Sequence, residues 1–289
     1  MRIFQSSITA KSLTLLDNYI PDIKINVLRS YQADGPGTFK IINSAKHCVK
    51  TLILDSGTWG LNKQTLKSKI TVQSYASFLE YNHNYFDAYF GFDPIHGDEG
   101  TEDSIINQLY LERLGFKPIP VLQNLNIETD YYCEKKDKYP FVAIGSTHQK
   151  DFKDVKKSVF KLYENGIKVH LFGIGSYKDL IEAPAWSSDC SSFAQWTKNG
   201  RQIFYKNDKE TSLAVRQYDK NGNLNKDYIR ASKYCDDYED WIYENFKLSL
   251  EDVIYNHDMC TMINSYYFYE LEKRVQEVHL KKGFVFDFY

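Results

Sequence analysis

Cysteine is scarce in this 289-residue chain, and the few present are poorly spaced for joint chemistry. Cys48, Cys133, Cys190, Cys235 and Cys260 are odd in number and widely spread, with no C-x-x-C pair. A disulfide framework is therefore not expected, and a reduced, cytoplasmic protein is (host cytoplasm, if the source is viral). Also lacking is any run of about eighteen apolar residues, so no membrane span or membrane partner is expected. Met1-Arg2-Ile3-Phe4-Gln5 lacks the charged-then-apolar pattern of a secretory signal. Excess positive charge is absent too: 36 Lys and Arg face 38 Asp and Glu, giving a net charge of −2 and a pI near 6.4. Composition thus gives no support to a nucleic-acid partner, without excluding one. Gly173 and Gly175 begin a G-x-G-x-x-G loop, but Lys178 stands where its third glycine belongs. A dinucleotide-binding reading is accordingly weak, and no cofactor is expected.

Short apolar runs are what the chain does have. Eight can be counted: Arg2–Ile8, Thr51–Asp55, Ala88–Asp93, Pro118–Gln123, Phe141–Gly145, Val169–Gly173, Ala185–Asp189 and Gln202–Tyr205. Lys24–Tyr31 competes with the first of them. Between the runs lie stretches of helical periodicity, Ile70–Tyr81, Ile105–Leu114 and Asp151–Glu164, with Gly115 and Gly166 as stop signals for the last two. Alternating strands and helices imply a parallel sheet with right-handed crossovers. A closed (β/α)8 TIM-like barrel with a C-terminal helical extension is the leading architecture, and a doubly wound open sheet is the alternative. The barrel core is expected over residues 1–206. A polar excursion or small hairpin follows over 207–227, and then helices at Tyr238–Phe246, Ser249–Asn256 and Met259–Val278, all packed on the barrel.

The ends of the runs carry the chemistry. In barrels of this kind, active sites form at the C-terminal strand edge. One run ends in Asp55-Ser56-Gly57, with Thr58 and Trp59 behind; another ends in Phe92-Asp93-Pro94, with His96 following. Later ends are Val121-Leu122-Gln123, Ile144-Gly145-Ser146 with His148 beyond, Phe172-Gly173-Ile174-Gly175-Ser176, and Ser188-Asp189-Cys190. Three carboxylates, an amide and several hydroxyls would then share one rim. For Asp55 and Asp93 the plainer alternative is capping of the next helix. For Gln123 it is a solvated loop. His96, His148 and His170 lack metal-ligand spacing and read as packing or hydrogen-bonding residues, so no metal is expected.

Taken together, these strand ends resemble the tRNA-guanine transglycosylase family. Leu54-Asp55-Ser56-Gly57-Thr58-Trp59 stands where that family has Asp-Ser-Gly-Gly-Phe-Gln, and Val121-Leu122-Gln123 is similar to its Val-Gln strand end. Ala143-Ile144-Gly145 is similar to its Val-Gly end. Phe172-Gly173-Ile174-Gly175, followed by Ser188-Asp189-Cys190, resembles its Gly-Val-Gly loop and Phe-Asp-Cys segment. The order agrees across residues 50–195. The resemblance favours the barrel and implies base exchange at a glycosidic bond. Asp189 would be the nucleophile and Asp55 the general acid/base. Asp93, Gln123, Gly145, Ser56 and Gly57 would bind the base. The family's second Gly, Phe and Gln are replaced by Thr58-Trp59, and its tandem-cysteine zinc ligands are missing. The chain is most like the compact, zinc-free phage-type members that insert 7-deazaguanines into DNA. Expected partners are therefore a nucleic acid (DNA ahead of tRNA) and a free 7-deazaguanine base. A homodimer is allowed, since dimerisation is common in the family. Lys198, Arg201 and Lys206 are candidate phosphate contacts, with solvated surface charge as the alternative. Two rival functions stand beside this one: a barrel hydrolase (nucleosidase or DNA glycosylase), and a non-catalytic nucleic-acid-binding subunit.

Overall fold

The computed structural model describes residues 1–32, 44–58, 70–94, 100–145, 152–207, 209–216, 221, 223 and 225–286. Eight parallel strands form one sheet. They are β1 (Arg2–Ser6), β2 (Ile25–Ser30), β3 (Val49–Asp55), β4 (Ala88–Tyr89), β5 (Val121–Leu122), β6 (Phe141–Ile144), β7 (Lys168–Leu171) and β8 (Ser187–Cys190), ordered β4-β3-β2-β1-β8-β7-β6-β5. The two edges meet. Just past β4, Phe90 bridges in parallel to Ile119, and Ile119 N donates to Tyr89 O while Gly91 N donates to Ile119 O, each at 2.8 Å. That seam closes the ring into the expected (β/α)8 barrel.

Helices follow seven of the eight strands among the described residues: α1 (Ala10–Tyr19), α2 (Val72–Asn82), α3 (Thr101–Arg113), α4 (Leu125–Glu134), α5 (Phe152–Glu164), α6 (Tyr177–Leu180) and α7 (Ser192–Lys198). Their starts are chemically marked. Thr9 caps α1, Asn124 caps α4, and Thr71 with Ser74 forms a reciprocal capping box on α2. Gly115 and Gly166 follow α3 and α5 with φ of 89° and 79°, the left-handed stop that glycine tolerates. Four more helices follow: α8 (Lys226–Arg230), α9 (Cys235–Phe246), α10 (Leu250–Ile254) and the 25-residue α11 (His257–Lys281).

Two strand expectations are corrected. Lys24–Tyr31 does not compete with the first run; its core is β2, lying between β1 and β3. Asp55 therefore ends the third barrel strand rather than the second, and each later end moves up by one. Gln202–Tyr205 is no barrel strand. It lies in β9 (Arg201–Lys206), paired antiparallel with β10 (Lys209–Ala214) in a separate hairpin. The physical reason is a competing apolar partner. Ile203 N donates to Asn264 Oδ1 on α11 at 3.1 Å, Tyr205 stacks on Tyr267, and Phe204 packs edge-on against Tyr238. The barrel strands thus end at Cys190, inside the expected 1–206 core.

Alternation divides the apolar residues into two sets. Phe4, Leu28, Ile53, Phe90, Ile119, Val121, Ala143 and Trp186 fill the barrel interior. Outward residues such as Ile3, Val27, Leu52, Val142, Val169 and Leu171 bury against the helices. α11 is tied to β1 by polar bonds: Gln5 and Ser265 exchange two, at 2.9 and 2.5 Å, and Glu272 accepts from Ile3 N at 2.7 Å. Among the described residues no helix is long and apolar enough to cross a membrane.

Candidate active site at the C-terminal mouth of the barrel

Every strand ends at the same mouth, and inward positions there are polar. On β8, Ser187 and Asp189 point inward. Ser188 between them points out, its hydroxyl bonding Leu171 O at 2.8 Å and Ile174 O at 2.5 Å. Asp189 is 8% exposed. Its Oδ2 accepts from Ser6 Oγ, at the end of neighbouring β1, at 2.6 Å, and its Oδ1 accepts from Gly173 N, just past β7, at 2.8 Å. The carboxylate is thus oriented by donors from both flanking strands.

A second carboxylate, Asp93, sits past β4 and is also buried. Its Oδ1 accepts from Thr58 Oγ1 at 2.8 Å and Ser56 Oγ at 3.3 Å, and its Oδ2 accepts from Gln123 Nε2 at 3.0 Å. Gln123, past β5, is completely buried, so the solvated-loop alternative does not hold. Its backbone is fixed from behind. Buried Glu128 on α4 accepts from Gln123 N and Asn124 N, both at 2.6 Å through Oε2. A Cβ on Gly145, past β6, would reach 3.4 Å from the Gln123 amide, so glycine keeps that face open.

Asp55, the last residue of β3, completes the set. Gly57 N donates to its Oδ2 at 3.1 Å. Gly57 itself has φ of 79°, and a Cβ there would lie 2.4 Å from Ser30 Oγ and 2.5 Å from Gln32 Cβ, so no other residue fits this turn. Burial, then repulsion from Asp93 and from Asp189, pushes the Asp55 carboxyl well above the usual carboxylate range, against the pull of its two backbone hydrogen bonds. Among the described residues, neither Asp55 nor Asp93 caps the helix that follows it: α2 is capped by Thr71, and α3 follows Gly100.

The structure therefore brings Asp55, Ser56, Gly57, Asp93, Gln123, Gly145 and Asp189 to one mouth. The three cations lie elsewhere. Lys198 and Arg201 are exposed at the end of α7 and the start of β9, and Lys206 is drawn into an ion pair with Asp237 on α9. Trp59, His96, Ser146 and His148 lie outside the described residues. Sequence reasoning gave no site role to Ser6 or Thr58, and read His170 as a packing or hydrogen-bonding residue. Ser6 and His170 share a signal that could have found them: each is polar at an inward position of a barrel strand, in phase with Phe4 and Phe172 respectively. Beside the mouth lies a cavity of about 590 Å³ whose lining includes Gly173, Tyr177, Lys178, Trp196 and Glu210. Two clusters of metal-capable side chains occur among the described residues, Asp17 with His47 and Cys48, and Cys235 with Asp236 and Glu239; neither includes a mouth residue.

No protein-family model matches the chain, and no curated protein matches it. Solved structures do share its outline. One is the YdjI aldolase from Escherichia coli K12, at 8% identity and a TM-score of 0.45, covering 95% of this chain and 93% of that one. A putative isomerase from Sinorhizobium meliloti follows at 9% identity and 0.43, covering 73% of this chain and 57% of its own. An enolase protein from Sargasso Sea environmental sequencing stands at 12% identity and 0.41, with 65% and 54% covered. The chain thus spans little more than half the length of the last two. These likenesses are too distant to carry any chemistry across.

Proposed function

We propose that the chain is a guanine transglycosylase, exchanging guanine in a nucleic acid, DNA by preference, for a 7-deazaguanine through a covalent aspartyl intermediate. One observation carries the reading: Asp189 and Asp55 face one mouth in contrasting surroundings. Donors from two strands orient Asp189. Burial and two like charges push the Asp55 carboxyl toward its protonated form. Two carboxylates separated in this way suit a nucleophile and a general acid.

In the first half-reaction, an Asp189 oxygen bonds to C1′ of the target nucleotide as the C1′–N9 bond breaks. The electron pair of that bond leaves with guanine, which takes the Asp55 proton. In the second, the incoming base gives its ring N–H proton to Asp55 and displaces Asp189 from C1′. Atoms and charge balance, and no cofactor is required. For recognition, the edge of guanine offers N–H donors beside a carbonyl acceptor, and the joined Asp93–Gln123 pair offers an acceptor beside an amide. The target base must leave its stack at a cost of about a few kcal/mol.

The test is uptake of labelled guanine by purified protein, with duplex DNA and tRNA offered separately. Label in DNA is expected. Label in tRNA alone would keep the chemistry and change the polymer. Release of unlabelled guanine with no uptake would indicate a hydrolase instead.

A further inference from the structure

Directly beneath Asp189 lies a histidine that the proposed chemistry has not used. His170, on β7, is completely buried inside the barrel. Its ring is boxed by Phe172 at 4.7 Å, Phe90 at 4.8 Å and Phe4 at 6.1 Å between centroids. Nδ1 lies 2.8 Å from Ser187 Oγ. Nε2 has no hydrogen-bond partner, yet stands 3.6 Å from Asp189 Oδ1. An aromatic box is a poor place for an unpaired polar atom, whose loss of solvation costs about 1–3 kcal/mol. A phenylalanine would fill the same space at no such cost. The retained imidazole, aimed at a carboxylate about 0.5 Å beyond hydrogen-bond range, requires a reason.

We infer that His170 is a positioning residue for Asp189: Ser187 Oγ donates to Nδ1, the ring hydrogen therefore sits on Nε2, and that N–H steers Oδ1. This rests on the reading of Asp189 as nucleophile. The reverse tautomer would direct the Nε2 lone pair at the carboxylate, which is repulsive. With Oδ1 anchored by Gly173 N–H and His170, the attacking oxygen is Oδ2, whose partner is the rotatable Ser6 hydroxyl.

Two variants separate this role from packing. His170→Phe fits the aromatic box without a donor, and His170→Gln places an amide N–H near the Nε2 position. Single-turnover formation of the protein–oligonucleotide adduct is expected to fall about 10–100-fold in His170→Phe, because misplacing a reacting group can cost about 100-fold. The KM for guanine should be unchanged and Tm no lower than in the parent protein. His170→Gln should recover most of the rate. A parental rate in His170→Phe, or equally slow Phe and Gln variants, would overturn the inference. A second readout needs no turnover: long-range proton–nitrogen correlation spectra of histidine-labelled protein, with the signal lost in His170→Phe taken as His170. An Nε2–H tautomer that changes in Asp189→Ala is expected; an Nδ1–H tautomer, or no response, would overturn it. If the parent protein exchanged no guanine, the proposed function would fail, while these spectra would still show whether the His170 ring hydrogen is directed at Asp189.

Discussion

The two mouths of this barrel are built from the same eight strands and could hardly differ more. At the N-terminal end, charge is laid over aromatic surface: the Arg2 guanidinium lies 4.7 Å from the centre of the Trp186 ring, and Lys168 approaches the same ring at 5.8 Å. Arg2 also donates to Thr51 Oγ1 at 3.4 Å. That end is a cation–aromatic plug, a stabilising arrangement. At the C-terminal end three aspartates converge, and two of them raise the pKa of the third. Gathering like charges beside an apolar interior costs stability. The contrast separates closure from chemistry: one mouth is arranged to hold the fold, the other to hold a proton and a nucleophile at the fold's expense.

Substitutions at the two ends sharpen that contrast. The largest effect is expected for Asp189→Asn, which should lower guanine exchange about 10⁴-fold or more while leaving Tm within a few degrees, checked by labelled uptake and thermal melts. Asp55→Asn is expected to reduce exchange by about 10²–10⁴-fold and at the same time to raise stability by about 1–2 kcal/mol at neutral pH. The sign follows from linkage. Asp55 has a higher pKa folded than unfolded, so the folded state binds the extra proton. Its stability is full below the ordinary carboxylate range and falls as pH rises toward the folded value. Tm measured against pH should show that decline in the parent protein and lose it in Asp55→Asn; an unchanged slope would break the comparison. Gln123→Ala removes one hydrogen bond to a charged group, and should raise the KM for guanine about 10–100-fold, equivalent to about 1.4–2.7 kcal/mol. Steady-state kinetics with varied guanine would check it. The smallest effect is expected at the plug, where Arg2→Met should lower stability by about 1 kcal/mol and leave exchange untouched. A loss of exchange there would mean the two ends are not separable.

Much of this was legible in the sequence because strand ends announce themselves. An apolar run meeting Asp55-Ser56-Gly57 or Ser188-Asp189-Cys190 marks where a buried strand reaches the rim. β2 was harder to see as a strand of its own. Ile25-Asn26-Val27-Leu28-Arg29-Ser30 carries polar residues in a buried strand, and their partners are remote: Asn26 bonds Glu272 on α11, and Arg29 bonds Ile8 O. β9 misled for the opposite reason. Gln202-Ile203-Phe204-Tyr205 reads as a barrel strand, but local pattern does not reveal which apolar surface a strand will cover, and here it is that of α9 and α11. His170 was legible only as a packing or hydrogen-bonding residue. Its significance depends on Asp189, nineteen positions along the chain and on the adjacent strand.

The central claim is that Asp189 forms the covalent bond. The most direct measurement is peptide mass spectrometry of protein quenched during turnover with a guanine-containing oligodeoxynucleotide. The account predicts an oligonucleotide, lacking one guanine, linked to the peptide that contains Asp189, and no such species in Asp189→Asn. An adduct on any other carboxylate, or exchange that proceeds with none, would contradict it.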